Sequence, residues 1–401
     1  MKAIHFFLLL LGASLPASDF TLESAVTHAL AHNPDLAAAR FRIDEARGKV
    51  TGAGRLSNPD LEISASKMTA GKEGNVGIAF MQKFPVTGRL RFEKAVTRAE
   101  LAAAEAEFEN EKRKVAEETR LVMVKLLALE QRRTLAGEQL ENGRQMAKLA
   151  TARAGAGAGS TTEAIQFELE AQELQFQVLT LDTEKPALLG ELRVLLGMKP
   201  GEPLTTSGAL PPAGKISSLQ TDPEKRADLH GASMMVEAAQ RGIELERSKR
   251  YEDIAVGAMV ERARRLDMPE PLMNETMLGI KISIPLPFWN KNEGPIEQAT
   301  AAAQRAAKER EAMALRIRFE IAVAYGEMKA QVALVNSVND TLLPKATEVE
   351  KRILDQYKQG QLSIQDVLRA RDKRLQLERS RIDALRDYHL ARARWLAATG
   401  Q

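Results

Sequence analysis

The chain has no proline between Pro85 and Pro186, and no glycine between Gly88 and Gly137. That interval is built from Ala, Glu, Leu, Lys, Arg and Gln, the strongest helix formers. The composition predicts one helix from Gly88 to Ala154, roughly 67 residues and on the order of 100 Å long at about 1.5 Å per residue. No compact domain of ordinary size buries such a rod. Gly155, Gly157 and Gly159 then mark a turn, and Ser160 with Glu163 supplies a capping-box signal. A return helix is expected from Thr161 to Leu196.

The same plan recurs. A second rod is expected from Asn292 to Gln359, a turn at Gly360, and a return from Ser363 to Thr399. Gly157 and Gly360 each precede an acidic residue, Glu163 and Asp366, by the same interval, and Gly197 and Gly400 each close a returning helix. The offset is about 203 residues each time. A period this long means two copies of one large unit rather than a solenoid. The division expected is a signal peptide at 1–18, a first repeat at 19–198, a linker at 199–223 and a second repeat at 224–401. The repeats carry β-hairpins at 60–84 and 252–285 and helical hairpins at 88–197 and 291–399. Leucines recurring every seven residues, Leu174, Leu181, Leu188 and Leu195 among them, favour left-handed supercoiling of paired helices. Pro344 predicts a local kink in the second rod.

Only 4% of the chain is aromatic, against 28% charged, which suits long helices better than a mixed globular fold. A net charge of +3 gives no footing for a nucleic-acid partner. The absence of cysteine excludes disulfides and thiolate metal sites. Lys2, the apolar run Ala3 to Leu15 and the small residues Ala13, Ser14, Ala17 and Ser18 have the layout of a secretory signal peptide; a frayed apolar terminus is the plainer alternative. No segment is apolar for long enough to be a membrane-spanning helix.

The strands are more demanding. Leu61, Ile63 and Ala65 alternate with Glu62, Ser64 and Ser66, and Val76, Ile78 and Phe80 alternate with Gly77, Ala79 and Met81. In the second copy Val256, Ala258 and Val260, then Leu278, Ile280 and Ile282, repeat the pattern. Four strands cannot close a barrel, and their apolar faces have no sheet to pack on. Strands of about nine to eleven residues with alternating faces fit an outer-membrane barrel, whose backbone must be fully paired. Three chains giving twelve strands would close it. The fold class expected is therefore mainly α, with tandem helical hairpins and a small membrane β part. Phe84, Phe288 and Trp289 fall where strands meet rods, which suits an interfacial girdle. The competing reading is a soluble β-sandwich packed on the helices.

This order of helix, hairpin, rod, glycine tip and return helix, repeated once, resembles the TolC-type outer-membrane efflux family. The resemblance covers nearly all of the mature chain. It is carried locally by Phe84-Pro85-Val86-Thr87-Gly88, Ile284 to Asn290, Leu342-Leu343-Pro344 and Tyr357 to Leu368. The segment Pro285 to Gly294 looks most like the cobalt–zinc–cadmium (CzcC-like) branch. The resemblance implies a homotrimer in outer-membrane lipid, a periplasmic helical tunnel, and docking of the tips to a periplasmic adaptor (membrane fusion protein) and an inner-membrane pump of the RND type. It implies passive export of solutes, heavy-metal cations in that branch, and no cofactor. It places an entrance gate at Tyr357 and Asp366, with Asp366 in an acidic ring, and adaptor docking at Gly155, Gly157, Gly159, Gly360, Leu362 and Ser363. Leu362 stands where the best-known members have a gating Arg, and Arg369 where a second acidic residue often lies.

Each of these residues has a plainer reading. Asp366 can be a helix-start carboxylate favoured by the dipole, and the glycines simply permit chain reversal. His28 and His32 lie four apart and could bind a metal on one helix face, but no carboxylate completes a site, so surface histidines are expected. Met68, Met81, Met259, Met268, Met273 and Met277 are expected to be packing filler rather than soft-metal ligands. No nucleophile–base set, phosphate loop or zinc motif occurs, so an enzyme is not expected. The alternative to a duct is a soluble periplasmic coiled-coil adaptor.

Overall fold

A computed structural model describes residues 18–67, 73–214, 222–265 and 273–401. The expected signal peptide, apart from Ser18, lies outside these residues, as do Met68 and Met268. In chain order the elements are β1 (Ser18–Phe20), α1 (Leu22–His32), α2 (Pro34–Gly52), β2 (Asp60–Lys67), β3 (Gly74–Phe84), α3 (Arg89–Gly155), α4 (Thr161–Leu195) and β4 (Leu204–Thr206). A short 3-10 turn (Pro223–Lys225) precedes α5 (Ala227–Ser248), β5 (Ile254–Arg265), β6 (Met273–Ser283) and α6 (Glu293–Ser337). A π-helical turn (Val338–Leu342), α7 (Leu343–Lys358) and α8 (Ile364–Ala398) complete the chain.

The long helix exists as expected: α3 runs unbroken for 67 residues. The chain divides into two compact units, and each draws on both halves of the sequence. One comprises residues 39–110 and 224–316, the other 1–38, 111–223 and 317–401.

The first of these units holds a four-stranded antiparallel sheet in the order β2-β3-β5-β6. Its register brings like residues together. Ile63, Ile78, Val260 and Leu278 lie in one row, and Leu61, Phe80, Ala258 and Ile280 in the next. Leu61, Ile63, Ile78, Phe80, Leu278, Ile280 and Ile282 are all more than half exposed, Leu278 by 80%. The opposite face carries Ser64, Gly77 and Glu261 in one row and Asp60, Met81, Gly257 and Lys281 in another. Lys83 pairs with Asp60 at 3.5 Å and Lys281 with Glu62 at 3.5 Å across it. Strands β2 and β6 have no partner on their outer edges among the described residues. The sheet joins its helices at a polar seam. Arg89, at the start of α3, pairs with Asp253 at 2.7 Å, and the Thr87 hydroxyl donates to the Ser248 carbonyl at 3.0 Å. Asn292 takes φ +58, a region that short polar side chains tolerate, and its Nδ2 donates to the Glu246 carbonyl at 2.7 Å.

The second unit is a helical bundle. Its most buried side chains include Met123, Leu126, Leu192 and Leu196, each fully covered. Covering one such side chain contributes roughly 1.5–3 kcal/mol. Of the heptad leucines, Leu174, Leu195 and Leu375 are buried. Asn33 ties the end of α1 to the end of α4. Its Nδ2 donates to the Leu195 carbonyl at 3.0 Å, and its Oδ1 accepts from the Leu36 amide at 3.1 Å. Gly197 sits against the same corner with φ +68, where a methyl group would stand 2.3 Å from the His32 carbonyl oxygen. Only glycine satisfies both conditions.

Three details go beyond the expected plan. The segment 199–223, expected as a linker, also supplies a strand and core contacts. Its β4 pairs in parallel with β1, Leu210 enters the core beside Val124 and Leu127, and buried His389 donates from Nε2 to the Pro211 carbonyl at 2.8 Å. Three-residue strands are too short to show a period, so the sequence hid this pair. Helix α2 stops at Gly52, two residues before Gly54, which takes φ +70. The irregularity expected at Pro344 is a π-helical turn at Val338–Leu342 just before it; Pro344 itself occupies the first turn of α7, where its missing N–H costs nothing.

Candidate functional site

The residues singled out from the sequence converge on the tips of the two helical hairpins, in the helical unit. Both tips are built the same way. At the end of α3 the Ala158 amide reaches back to the Arg153 carbonyl at 2.9 Å and the Gly157 amide to Ala154 at 3.1 Å, with Gly157 at φ +70. At the end of α7 the Gln361 amide reaches Gln356 at 3.0 Å and the Gly360 amide reaches Tyr357 at 2.9 Å, with Gly360 at φ +75. These are glycine-terminated Schellman caps, which satisfy the last helical carbonyls. The ends of α4 and α8 repeat the motif at Gly197 and Gly400, also with positive φ. Gly155 is the last residue of α3, and Gly159 packs against Arg153 so closely that a Cβ would meet it at 3.1 Å. All four tip glycines are exposed. Ser363 is exposed and Leu362 half-buried beside Gly360.

The helix starts after the turns differ, and the difference matters. On α8 the capping box is complete. The Asp366 amide donates to the Ser363 hydroxyl at 3.4 Å, and the Asp366 carboxylate accepts from the Ser363 amide at 3.2 Å. It also accepts from the Ser363 hydroxyl at 2.6 Å. That hydroxyl, with the Ser363 amide behind it, holds the Asp366 carboxyl below its usual range. On α4 the box expected at Ser160 and Glu163 is not formed. Ser160 accepts from Thr162, and Glu163 instead accepts a hydrogen bond from the Tyr357 hydroxyl. Burial, then the bond to Glu163, pushes the Tyr357 phenol up, so it stays protonated and remains a donor. The Arg153 guanidinium beside it pulls the other way. The equivalent positions of the two repeats have thus diverged: one acidic residue caps its own helix, the other clasps the neighbouring hairpin.

Behind the clasp, Ala147, Ala150, Ala164 and Phe167 form a buried cluster against which Ile364 and Leu368 pack, joining the hairpins. Further along, Arg371 of α8 pairs with Glu170 of α4 at 3.5 Å, with side chains only 10% and 13% exposed. Burial raises the Glu170 carboxyl, and Arg371 opposes it. Arg374 bridges Glu350 of α7 and Glu378 of its own helix. The sequence reading did not find Glu163 as a partner of Tyr357, nor the Glu170–Arg371 pair. Both are contacts across about 200 residues, and local patterning carries no such signal. Arg369 is exposed.

The remaining candidates belong to the sheet unit. Phe84 ends β3, and Phe288 and Trp289 follow β6, with ring centroids 6.1 Å apart in an edge-on pair. They are 45%, 68% and 96% exposed. Met81 is buried against Gly257, while Met273 and Met277 are exposed. Among the described residues no group of three or more His, Asp or Glu side chains is arranged to hold a metal, and no helix is long and apolar enough to cross a membrane.

Comparison with known proteins adds the family context. The model of the family described as "Outer membrane efflux protein" matches residues 25–197 and again 220–401. The cobalt-zinc-cadmium resistance protein CzcC of Cupriavidus metallidurans is 23% identical over 393 residues, covering 96% of this chain and 88% of that protein. Among solved structures, the outer-membrane channel OprN superposes with a TM-score of 0.78 at 18% identity, covering 94% of this chain and 89% of the other. The outer membrane protein VceC of Vibrio cholerae gives 0.74 at 20% identity, with 94% and 96% covered.

Proposed function

The chain belongs to the outer membrane efflux protein family, and from that premise we propose that three copies form a continuous exit duct for divalent metal cations. The protein is an outer-membrane efflux channel with its helices in the periplasm, and it works with adaptor and pump partners. The finer assignment rests first on the sheet. Its apolar face is bare across all four strands and, among the described residues, both edges are open. Lipid covers such a face at no cost, but it cannot satisfy an unpaired edge. Two further copies supply eight more strands and close the cylinder, leaving the Asp60, Glu62, Glu261 and Lys281 face inside. Exposed apolar stripes on the helices support the same assembly. Ile165, Leu169, Phe176 and Leu179 of α4, and Phe319 and Val323 of α6, are all more than half exposed. The Phe84, Phe288 and Trp289 rings would then sit at the lipid–water boundary.

The purified protein is expected to fractionate with outer membranes, to need detergent, and to migrate as a trimer. A water-soluble monomer after export would reject the duct in favour of an adaptor.

The tip supplies the gate in this reading. The Tyr357–Glu163 clasp holds the two hairpins together, and three Asp366 carboxylates around a narrow axis concentrate a cation-attracting field. Adaptor docking falls to the exposed turns at Gly155, Gly157, Gly159, Gly360, Leu362 and Ser363, with an RND-type pump behind the adaptor. Cation cargo is supported by the likeness to a cobalt-zinc-cadmium resistance protein. Asp366→Asn keeps a capping acceptor while removing the charge. It should lower the Zn2+-over-Cl− permeability ratio in planar bilayers about threefold or more, an order of magnitude set by losing three ring charges. A wild-type pore without cation preference would sink both the ring and the cargo assignment.

A further inference from the structure

We propose that His28 and His32 form a two-histidine site for a late first-row divalent cation, Cu2+ most tightly and Ni2+ or Zn2+ after it. The inference stands on side-chain geometry alone and needs no assumption about what the channel exports.

The two residues are four apart on α1, which puts them on one face. The structure brings their rings together, with centroids 4.1 Å apart and planes 18° from parallel. The Nδ1 of His32 lies 3.1 Å from the His28 carbonyl oxygen. A carbonyl only accepts, so that Nδ1 carries the proton and Nε2 presents its lone pair. A backbone carbonyl that fixes the tautomer and orients the ring is the arrangement metal-ligating histidines use. The His28 ring is braced from the other side by Phe20, edge-on at 5.1 Å. Among the described residues neither His28 nitrogen, nor Nε2 of His32, has a hydrogen-bond partner.

Two imidazoles on one ion at about 2.0–2.1 Å need their nitrogens about 3 Å apart. From a near-parallel stack, modest rotation about the broad χ2 torsion achieves that. With no third protein ligand among the described residues, water fills the other positions, so the site is exchangeable and of modest affinity. Its preference follows the general order for nitrogen ligands, which peaks at copper. Position gives the ion something to act on. His32 is the last residue of α1, and its carbonyl abuts Gly197 at the end of α4. An ion across the pair would brace that corner and raise thermal stability in proportion to its concentration over Kd.

The test uses the full chain in detergent, titrated with CuCl2 and followed by electron paramagnetic resonance and thermal unfolding. Wild type should bind one Cu2+ with hyperfine structure from two nitrogens and melt higher with copper than without. His28→Ala and His32→Ala should each lose at least tenfold in affinity and the two-nitrogen signature. His230→Ala, an exposed histidine elsewhere, should change neither. Circular dichroism verifies that each variant is folded, and His28→Gln serves if His28→Ala is not. Equal copper binding by wild type and the His28 variants, or a spectrum without imidazole nitrogen, overturns the assignment.

Discussion

Tyr357→Phe should raise single-channel conductance in planar bilayers several-fold. The substitution keeps the ring and its packing and removes only the hydroxyl that Glu163 accepts. A hydrogen bond to a charged acceptor contributes about 1.5–3 kcal/mol net, and about 1.4 kcal/mol moves an equilibrium tenfold. The clasp is half-buried, so the lower part of that range applies. In the proposed trimer three such clasps would hold the entrance closed, and losing all of them is expected to shift it toward open. Glu163→Ala should match Tyr357→Phe, because both delete the same bond. Glu163→Gln should fall between, since an amide oxygen still accepts but without charge. The double variant should add nothing to either single one. Wild-type conductance in both single variants would remove the clasp from the gate.

Gly257→Val should abolish the trimer and deplete the protein from outer membranes by more than tenfold. Gly257 lies in β5, an inner strand, opposite Met81. A Cβ there would stand 2.2 Å from the Met81 sulfur and 2.3 Å from the Phe80 carbonyl oxygen. The sulfur can swing away. The carbonyl is part of the ladder and cannot move without breaking pairing between β3 and β5. Overpacking of this kind costs about 1–3 kcal/mol per site or more, and a closed barrel would carry it three times. Gly326→Ala is the matched control, because a methyl group there meets nothing within 4 Å. Heat-modifiable migration on gels and membrane fractionation give the readout. Normal trimer from Gly257→Val would mean that this strand register is not the one the assembled protein uses.

Much of this molecule is legible in its sequence because its signals are long. A proline-free run of helix formers fixes α3 whatever its surroundings, and alternation over eight to twelve residues fixes the strands and their faces. Gly157, Gly197, Gly360 and Gly400 mark chain reversals because each adopts a positive φ that other residues avoid. What escaped was short or distant. Strands β1 and β4 have three residues each. Glu163 was assigned to Ser160, three positions away, but Tyr357 competes for it from another hairpin and wins. A capping box and an interhelical bond want the same carboxylate, and only packing decides between them. Asp366 shows the opposite outcome at the matching position. The stack of His28 on His32 depends on rotamers that spacing alone does not set.

The bare rims of the sheet have a consequence during biogenesis. In the single chain, among the described residues, β2 and β6 offer outer edges without a strand partner beside greasy side chains, a template for mispairing with any extended chain. Glu62 and Lys67 on one rim and Glu275 and Lys281 on the other act as gatekeepers against it. They reduce the hazard without removing it, so a protomer outside its assembly is expected to aggregate more readily than one within it.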